Sequence, residues 1–266
     1  MASLIERNGL HRSELTAKTA HRIQATLPRM SQMRTLNFVG GEKGGVGKSV
    51  VSRLLAQYFI DRSRPFTGFD TDRSHRSFAR FYADHASPII VDNYEGLDNI
   101  VAGFDQSPDE GPAGGVVVDL AAQTADPLAR WIKDSDLLTL MPEMGVTVNF
   151  WHVADAGQES VDLLERLVTT YGDEANYIVV KNAVRGRDFA PLERSAGFKS
   201  ALVSGADVIS VALLQETCMR KIDRQNATFA AALLQRVGPD ALGLLERQRL
   251  RTWLNAAYAE FGHLVL

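Results

Sequence analysis

Hydrophobic and polar positions follow two different periods along this chain from residue 35 onward. Short apolar runs alternate with longer stretches in which apolar residues recur at helical spacing. The runs predict buried strands and the longer stretches predict crossover helices. We therefore expect an α/β fold: a mostly parallel, twisted sheet with helices on both faces. The predicted strands are Leu36–Val39, Pro65–Phe69, Pro88–Val91, Val116–Asp119, Leu137–Met141, Tyr177–Lys181 and Val208–Val211.

The C-terminal stretch has the pattern of one amphipathic helix. Its apolar residues recur three or four positions apart and form a single wide stripe, which predicts packing against the sheet. The stripe consists of Leu250, Trp253, Leu254, Ala257, Tyr258 and Phe261.

A glycine-rich segment, EKGGVGKS at 42–49, lies between the first predicted strand and a helix-forming stretch. In that context, loop amides and the helix N-terminus bind the phosphates of a nucleotide, so we expect a P-loop NTPase fold. Lys48 is placed to reach the β- and γ-phosphates, and the Ser49 hydroxyl to ligate Mg²⁺. The general pattern has glycine at position 42, where this chain has Glu42. The predicted phosphate-binding residues are Gly44, Gly45, Val46, Gly47, Lys48 and Ser49.

Lys43 makes the loop typical of one particular family of P-loop proteins. In the form KGGVGKS it resembles the signature lysine of the MinD/ParA family of P-loop ATPases, which have a deviant Walker A motif. The resemblance implies an ATP-dependent homodimer in which Lys43 of one subunit contacts nucleotide bound to the other. The alternative is a solvated surface lysine. The resemblance covers roughly residues 35–215.

Two acidic elements lie at the ends of predicted strands, where such an ATPase needs them. Similarity to the family's D-x-D element makes Asp72 the residue that aligns the attacking water, with Asp70 supporting Mg²⁺ or the loop. Asp119 ends a strand that resembles Walker B and is expected to hold Mg²⁺ through water. In the family, the segments after the residues corresponding to Asp72 and Asp119 act as switches. Both segments depart from the family pattern here, which puts their partner contacts in doubt.

A third strand end carries the candidate for base recognition. Asn182 closes the apolar run from Tyr177 and resembles the family's asparagine that contacts the adenine edge. An asparagine that merely forms a turn is the alternative.

Composition and charge narrow the class of protein. The chain has 266 residues, a net charge of −3 and one cysteine, Cys218, which excludes an internal disulfide and a cysteine-based metal site within one chain. No apolar run reaches the roughly 18 residues of a membrane span, so we expect a cytoplasmic protein. We expect a basic N-terminal extension over 1–34, with six basic residues against two acidic ones, and one P-loop ATPase domain over 35–266.

Two surface features bear on partners. Arg220, Lys221 and Arg224 form a basic cluster that would suit nonspecific DNA, although a solvated helix face explains it as well. Some MinD-type relatives bind membrane through a terminal helix. Here the weakly basic flank of the C-terminal helix favours packing over membrane binding.

The function predicted from these features is that of a Mg²⁺-dependent ATPase that dimerises around ATP. It would act as a slow molecular switch in plasmid or DNA transfer, partition or cargo positioning, with a protein partner. Three short segments resemble TraL-type ATPases of conjugative transfer. They are Pro142-Glu143-Met144-Gly145, Lys181-Asn182 and Arg247-Gln248-Arg249-Leu250. A nucleotide-gated binding module with negligible turnover and a metabolic P-loop ligase are the alternatives.

Overall fold

The structure is a computed structural model that describes residues 34–104 and 114–266. Residues 1–33 of the predicted extension, and residues 105–113, lie outside the described residues. No helix in the described part of the chain is both long and apolar enough to cross a membrane.

Seven parallel strands form one sheet, in the order β3-β2-β4-β1-β5-β6-β7. This confirms the predicted fold class. The two central strands, β1 and β4, are buried on both faces, and their residues 36–39 and 116–118 are apolar except for Asn37. The strands are β1 Arg34–Gly40, β2 Phe66–Asp70, β3 Ala86–Pro88, β4 Gly115–Asp119, β5 Val146–Ala154, β6 Asn176–Asn182 and β7 Asp207–Val211.

Helices cover both faces of the sheet, and most follow a strand in the chain. The helices among the described residues are α1 Lys48–Asp61, α2 Tyr94–Val101, α3 Ala125–Asp134, α4 Leu137–Glu143, α5 Gln158–Tyr171, α6 Ala190–Arg194, α7 Ala196–Val203, α8 Glu216–Gln225, α9 Phe229–Leu234 and α10 Leu244–Phe261. Two short 3₁₀ helices, Ala102–Phe104 and Ala183–Arg185, follow α2 and β6.

The prediction of a strand at Leu137–Met141 is wrong. This segment is the helix α4, and the fifth strand is β5, which the sequence analysis did not predict. The physical reason lies in the side chains. The segment is mostly leucine, a good helix former, whereas β5 reads VTVNFWHVA and is rich in β-branched and aromatic residues. The predicted third strand is also displaced, since β3 ends at Pro88.

The core has one cluster on each face of the sheet. Successive side chains of a strand point to opposite faces, so Phe38 belongs to one cluster and its neighbour Val39 to the other. The α10 stripe packs into the Val39 cluster, where Trp253 and Phe261 are buried. This confirms that the amphipathic helix covers the sheet.

A buried polar network lies within the sheet on the α10 side. Asn37 Oδ1 accepts hydrogen bonds from Asn149 Nδ2 at 3.0 Å and Trp151 Nε1 at 3.1 Å. Asn149 also donates to the carbonyl of Val265, 3.2 Å away. Because each buried donor has an acceptor, the network ties the central strands to the chain after α10 without an unpaired polar group.

Candidate nucleotide-binding site

The phosphate loop runs from the end of β1 to the first residue of α1, at the carboxyl edge of the central strand. Ligands bind at this edge in open parallel sheets. Gly47 has φ +92, and a Cβ there would lie 2.3 Å from Asn182 Nδ2, so no other residue fits. The loop is therefore closely packed against the end of β6.

Lys48, the first residue of α1, is only 9% exposed. Its Nζ donates to the carbonyl oxygen of Lys43 at 2.8 Å, across the loop. Burial lowers the pKa of Lys48, while the carboxylates of Asp119, Asp72 and Glu42 act in the opposite direction. The ammonium thus lies inside the loop, where a bound phosphate would stabilise its charge.

Asp119 at the end of β4 lies beside α1 and is 2% exposed. Burial raises its pKa to about 7, despite hydrogen bonds from the hydroxyls of Ser49 and Ser52. Ser52 Oγ donates to Asp119 Oδ1 at 2.9 Å. A carboxylate and a hydroxyl are hard oxygen ligands, which fit Mg²⁺. Ser49 and Asp119 could hold the ion with water and phosphate oxygens completing its shell.

The described residues contain no group of three or more His, Cys, Asp or Glu side chains suited to a metal ion.

Asp70 has a different environment from Asp119, although both end neighbouring strands. Its Oδ1 accepts from the amide of Asp72 at 2.9 Å, and its Oδ2 accepts from the amides of Phe78 at 2.8 Å and Ala79 at 2.9 Å. Both oxygens are therefore used to fix the segment after β2. Of the two roles considered for Asp70, supporting the loop has the better geometric basis.

Asp72 lies two residues further along, and its side chain is 30% exposed. Its Oδ1 accepts from the amides of Ser74 at 2.8 Å and His75 at 3.1 Å. Burial alone would raise the pKa of Asp72, but these amides and the nearby imidazole of His75 lower it on balance. Asp72 is thus ionised but engaged with its own turn.

Lys43 contacts its own chain in this structure. Its Nζ lies 3.0 Å from Asp155 Oδ1 and 3.7 Å from Glu159 Oε2, and its side chain is 12% exposed. The same Asp155 oxygen accepts from Ser160 Oγ at 2.7 Å and from the Gly157 amide at 3.0 Å. Sequence reasoning missed Asp155. It follows β5, so recognising that strand in VTVNFWHVA was the signal that could have found it.

Asn182, the last residue of β6, is buried, and its Nδ2 donates to the carbonyl of Val46 at 2.7 Å. This bond ties the strand to the phosphate loop. It gives Asn182 a defined role in fixing the loop, beside the predicted contact with a base.

The basic cluster on α8 lies apart from this constellation. Each of its cations faces a carboxylate: Arg220 pairs with Glu216 at 3.6 Å, Lys221 with Glu246 at 2.7 Å and Arg224 with Asp240 at 3.4 Å. Because the positive charges are locally balanced, the cluster is a weaker candidate for DNA than its sequence indicates.

A parallel seven-stranded sheet with a phosphate loop between its central strand and the next helix defines a P-loop NTPase fold. Within that class, the chain resembles two proteins from Escherichia coli, each named Protein TraL. One is 25% identical over 237 residues, covering 82% of this chain and 93% of the relative. The other is 24% identical over 246 residues, covering 86% and 97%. These similarities confirm the predicted resemblance to TraL proteins. No protein-family model matches the chain.

Solved structures also align with this chain at low sequence identity. A nucleotide-binding protein in complex with ADP from Archaeoglobus fulgidus has a TM-score of 0.46 at 14% identity, covering 74% of this chain and 88% of its own. The MinD cell division protein of Aquifex aeolicus has a TM-score of 0.48 at 13% identity, covering 84% and 97%.

Proposed function

We propose that this protein binds Mg-ATP at the phosphate loop and hydrolyses it slowly as a cytoplasmic homodimer, acting as a switch with a protein partner in conjugative DNA transfer. The observation that carries the proposal is the buried Lys48 ammonium beside Asp119 and Ser49. These groups supply a phosphate-binding cation and the oxygen ligands of a magnesium ion.

The residues have distinct roles in this proposal. Loop amides from Gly44 to Ser49 and the Lys48 ammonium bind the phosphates, while Ser49 and Asp119 would hold Mg²⁺, which would supply positive charge beside the phosphates. Lys43 contacts nucleotide across the dimer, and Asp72 aligns water. Catalysis would then consist mainly of positioning and charge stabilisation. The similarity to the TraL proteins supports the role in conjugation.

A nucleotide-gated binding module is the second candidate. Asp72 Oδ1 is engaged by two amides of its own turn and Oδ2 lies 3.4 Å from His75 Nδ1, so in this alternative the carboxylate needs a rearrangement before it can orient a water molecule. If that rearrangement does not occur, ATP would fix a dimer without being turned over. Phosphate release measured beside ATP-dependent dimerisation separates the two candidates.

Lys48→Ala tests the binding site itself. Removal of this buried cation should weaken Mg-ATP binding about 10- to 100-fold, because a charge-assisted hydrogen bond contributes roughly 1.5–3 kcal/mol. Isothermal titration calorimetry measures the change. Exposed Lys199 on α7 gives a matched control, since Lys199→Ala removes the same charge and should leave affinity unchanged. Equal affinity for the wild type and Lys48→Ala would contradict the assignment of the phosphate loop.

A further inference from the structure

Arg185 lies beside the phosphate loop because of how β6 ends. The bond from Asn182 to the Val46 carbonyl fixes the strand end against the loop, and Arg185 follows three residues later in a 3₁₀ helix. Its Nη2 is 3.4 Å from the carbonyl oxygen of Gly44, and a Cβ at Gly45 would lie 2.7 Å from the same nitrogen. The guanidinium therefore lies against the two central glycines of the loop.

The guanidinium has donors to spare in this position. Arginine carries five N–H donors. The described residues offer it the Gly44 carbonyl and Asp155 Oδ2 at 3.6 Å, both long contacts, and its side chain is 52% exposed. The bonds to Asp155 from Lys43, Ser160 and Gly157 all go to its other oxygen, Oδ1. Arg185 is thus held loosely, with its remaining N–H groups accessible.

The charges around the loop indicate which ligand the Arg185 guanidinium would bind. The Lys48 ammonium faces three carboxylates, and Lys43 is paired with Asp155. A nucleoside triphosphate brings several negative charges to this loop, and a planar guanidinium donates to two phosphate oxygens at once. Gly44 and Gly45 are exposed and carry no side chain that could separate Arg185 from a phosphate.

We infer that Arg185 is a further phosphate-binding residue of the nucleotide site, supplied by the same subunit from the end of β6. This inference rests on the proposed function, because it adds a ligand contact to the same site. Asp155 would hold the guanidinium at the loop before the phosphates arrive.

Arg185→Gln tests the inference, with Arg187→Gln as its matched control. Arg187 is exposed, two residues further along, and its replacement changes the net charge equally. Calorimetry with Mg-ATP should show affinity about 10-fold lower for Arg185→Gln and unchanged for Arg187→Gln. Direct titration with tripolyphosphate, which has no base or sugar, should show affinity for Arg185→Gln lowered by a similar factor. Thermal unfolding without nucleotide should match the wild type for both variants.

Other outcomes overturn the inference in distinguishable ways. Equal ATP affinities for the two arginine variants would mean that Arg185 contributes only general surface charge. A loss seen with ATP but not with tripolyphosphate would place Arg185 against the base or sugar. If the wild type and Lys48→Ala bind ATP with equal affinity, the proposed function is overturned, and this inference falls with it.

Discussion

Burial has opposite effects on two titratable residues of this protein, for the same reason. It raises the pKa of Asp119 to about 7 and lowers that of His152 to about 4, because a charged group loses hydration in the interior. Asp119 lies beside Ser49, where a divalent cation would lower its pKa again, so metal binding should release protons. His152 Nε2 pairs with the Ser160 carbonyl at 2.8 Å and has no charged role in the site.

His152 should make the fold acid-sensitive. Its pKa is lower in the folded state than the ordinary 6.5, so its contribution to stability is present above pH 6.5 and is lost as pH falls towards 4. The loss should approach roughly 3 kcal/mol, at about 1.4 kcal/mol per pKa unit. Denaturant unfolding of the wild type and His152→Gln, followed from pH 7 to pH 4, measures it: the wild type should lose stability more steeply.

The control for this experiment is His263, which is exposed. His263→Gln should keep the wild-type dependence on pH. If His152→Gln shows the same slope as His263→Gln, the buried imidazole is not the group responsible.

At the scale of single residues, some residues of the site could be predicted from the sequence and others could not. Lys48 and Ser49 belong to a motif of adjacent residues whose chemistry depends on local backbone, so the loop could be recognised directly. Asp155 contacts Lys43 across 112 positions of the chain, and no local pattern encodes that contact. Asn182 and Asp70 were named as candidates from strand ends, but their hydrogen-bond partners depend on how those strand ends meet.

At the scale of elements, the helix after the phosphate loop is tied to α8 by an ion pair whose cation is buried. Arg53 of α1 has a side chain 4% exposed, and its Nη1 lies 2.9 Å from Asp223 Oδ1. Its guanidinium lies over the ring of Phe81, 3.6 Å from the centroid, and 4.8 Å from that of Phe229. Among the described residues, Nε and Nη2 of Arg53 find no hydrogen-bond partner, so Asp223 supplies most of the compensation for the buried charge there.

Asp223→Ala should therefore destabilise the protein by about 2–3 kcal/mol, because it leaves a buried cation unpaired while water already screens part of the half-exposed carboxylate. Asp240→Ala is the matched change, since Asp240 pairs with the exposed Arg224. It should cost less than about 1 kcal/mol. Chemical denaturation measures the free energy of unfolding of both variants. Similar losses of stability would show that the Arg53–Asp223 pair contributes no more than the exposed pair.

Prediction of the fifth strand failed because apolar composition and secondary-structure preference diverged. Leu137–Met141 is apolar enough for a buried strand, yet it packs as a helix. In β5, the polar residues Asn149 and His152 interrupt the apolar pattern, and both are buried with hydrogen-bond partners. Their partners lie on β1 and α5, so the local sequence does not reveal that these polar groups would be hydrogen-bonded.

At the scale of the whole molecule, Lys43 has two competing partners under the proposed function. Within one subunit it pairs with Asp155, whereas in an ATP-bound dimer it would contact the partner's nucleotide. Lys43→Ala should leave ATP binding by the monomer largely intact, because Lys48, Ser49 and the loop amides remain. It should abolish ATP-dependent dimerisation. Light scattering with and without Mg-ATP measures both states of association.

Lys199→Ala should dimerise like the wild type in the same assay. If Lys43→Ala also dimerises and hydrolyses ATP normally, the deviant Walker A interpretation fails and the chain is an ordinary P-loop protein.

Asp72→Ala should have the reverse effect. Without the residue proposed to align water, ATP would remain bound and the dimer would persist, while phosphate release stops. A phosphate-release assay run beside light scattering tests this. Unchanged turnover would assign Asp72 only to its turn, where its bonds to the amides of Ser74 and His75 already place it.

The sequence by itself determined the P-loop fold class, the position of the phosphate loop and the helical stripe that covers the sheet. Each depends on the spacing of neighbouring residues, which local backbone geometry and burial translate directly into structure. Only the tertiary structure decided which strand follows α4, how Asp155 meets Lys43 and Arg185, and that the basic cluster is paired with carboxylates. These outcomes depend on contacts between residues far apart in the chain, whose energies a local pattern does not contain.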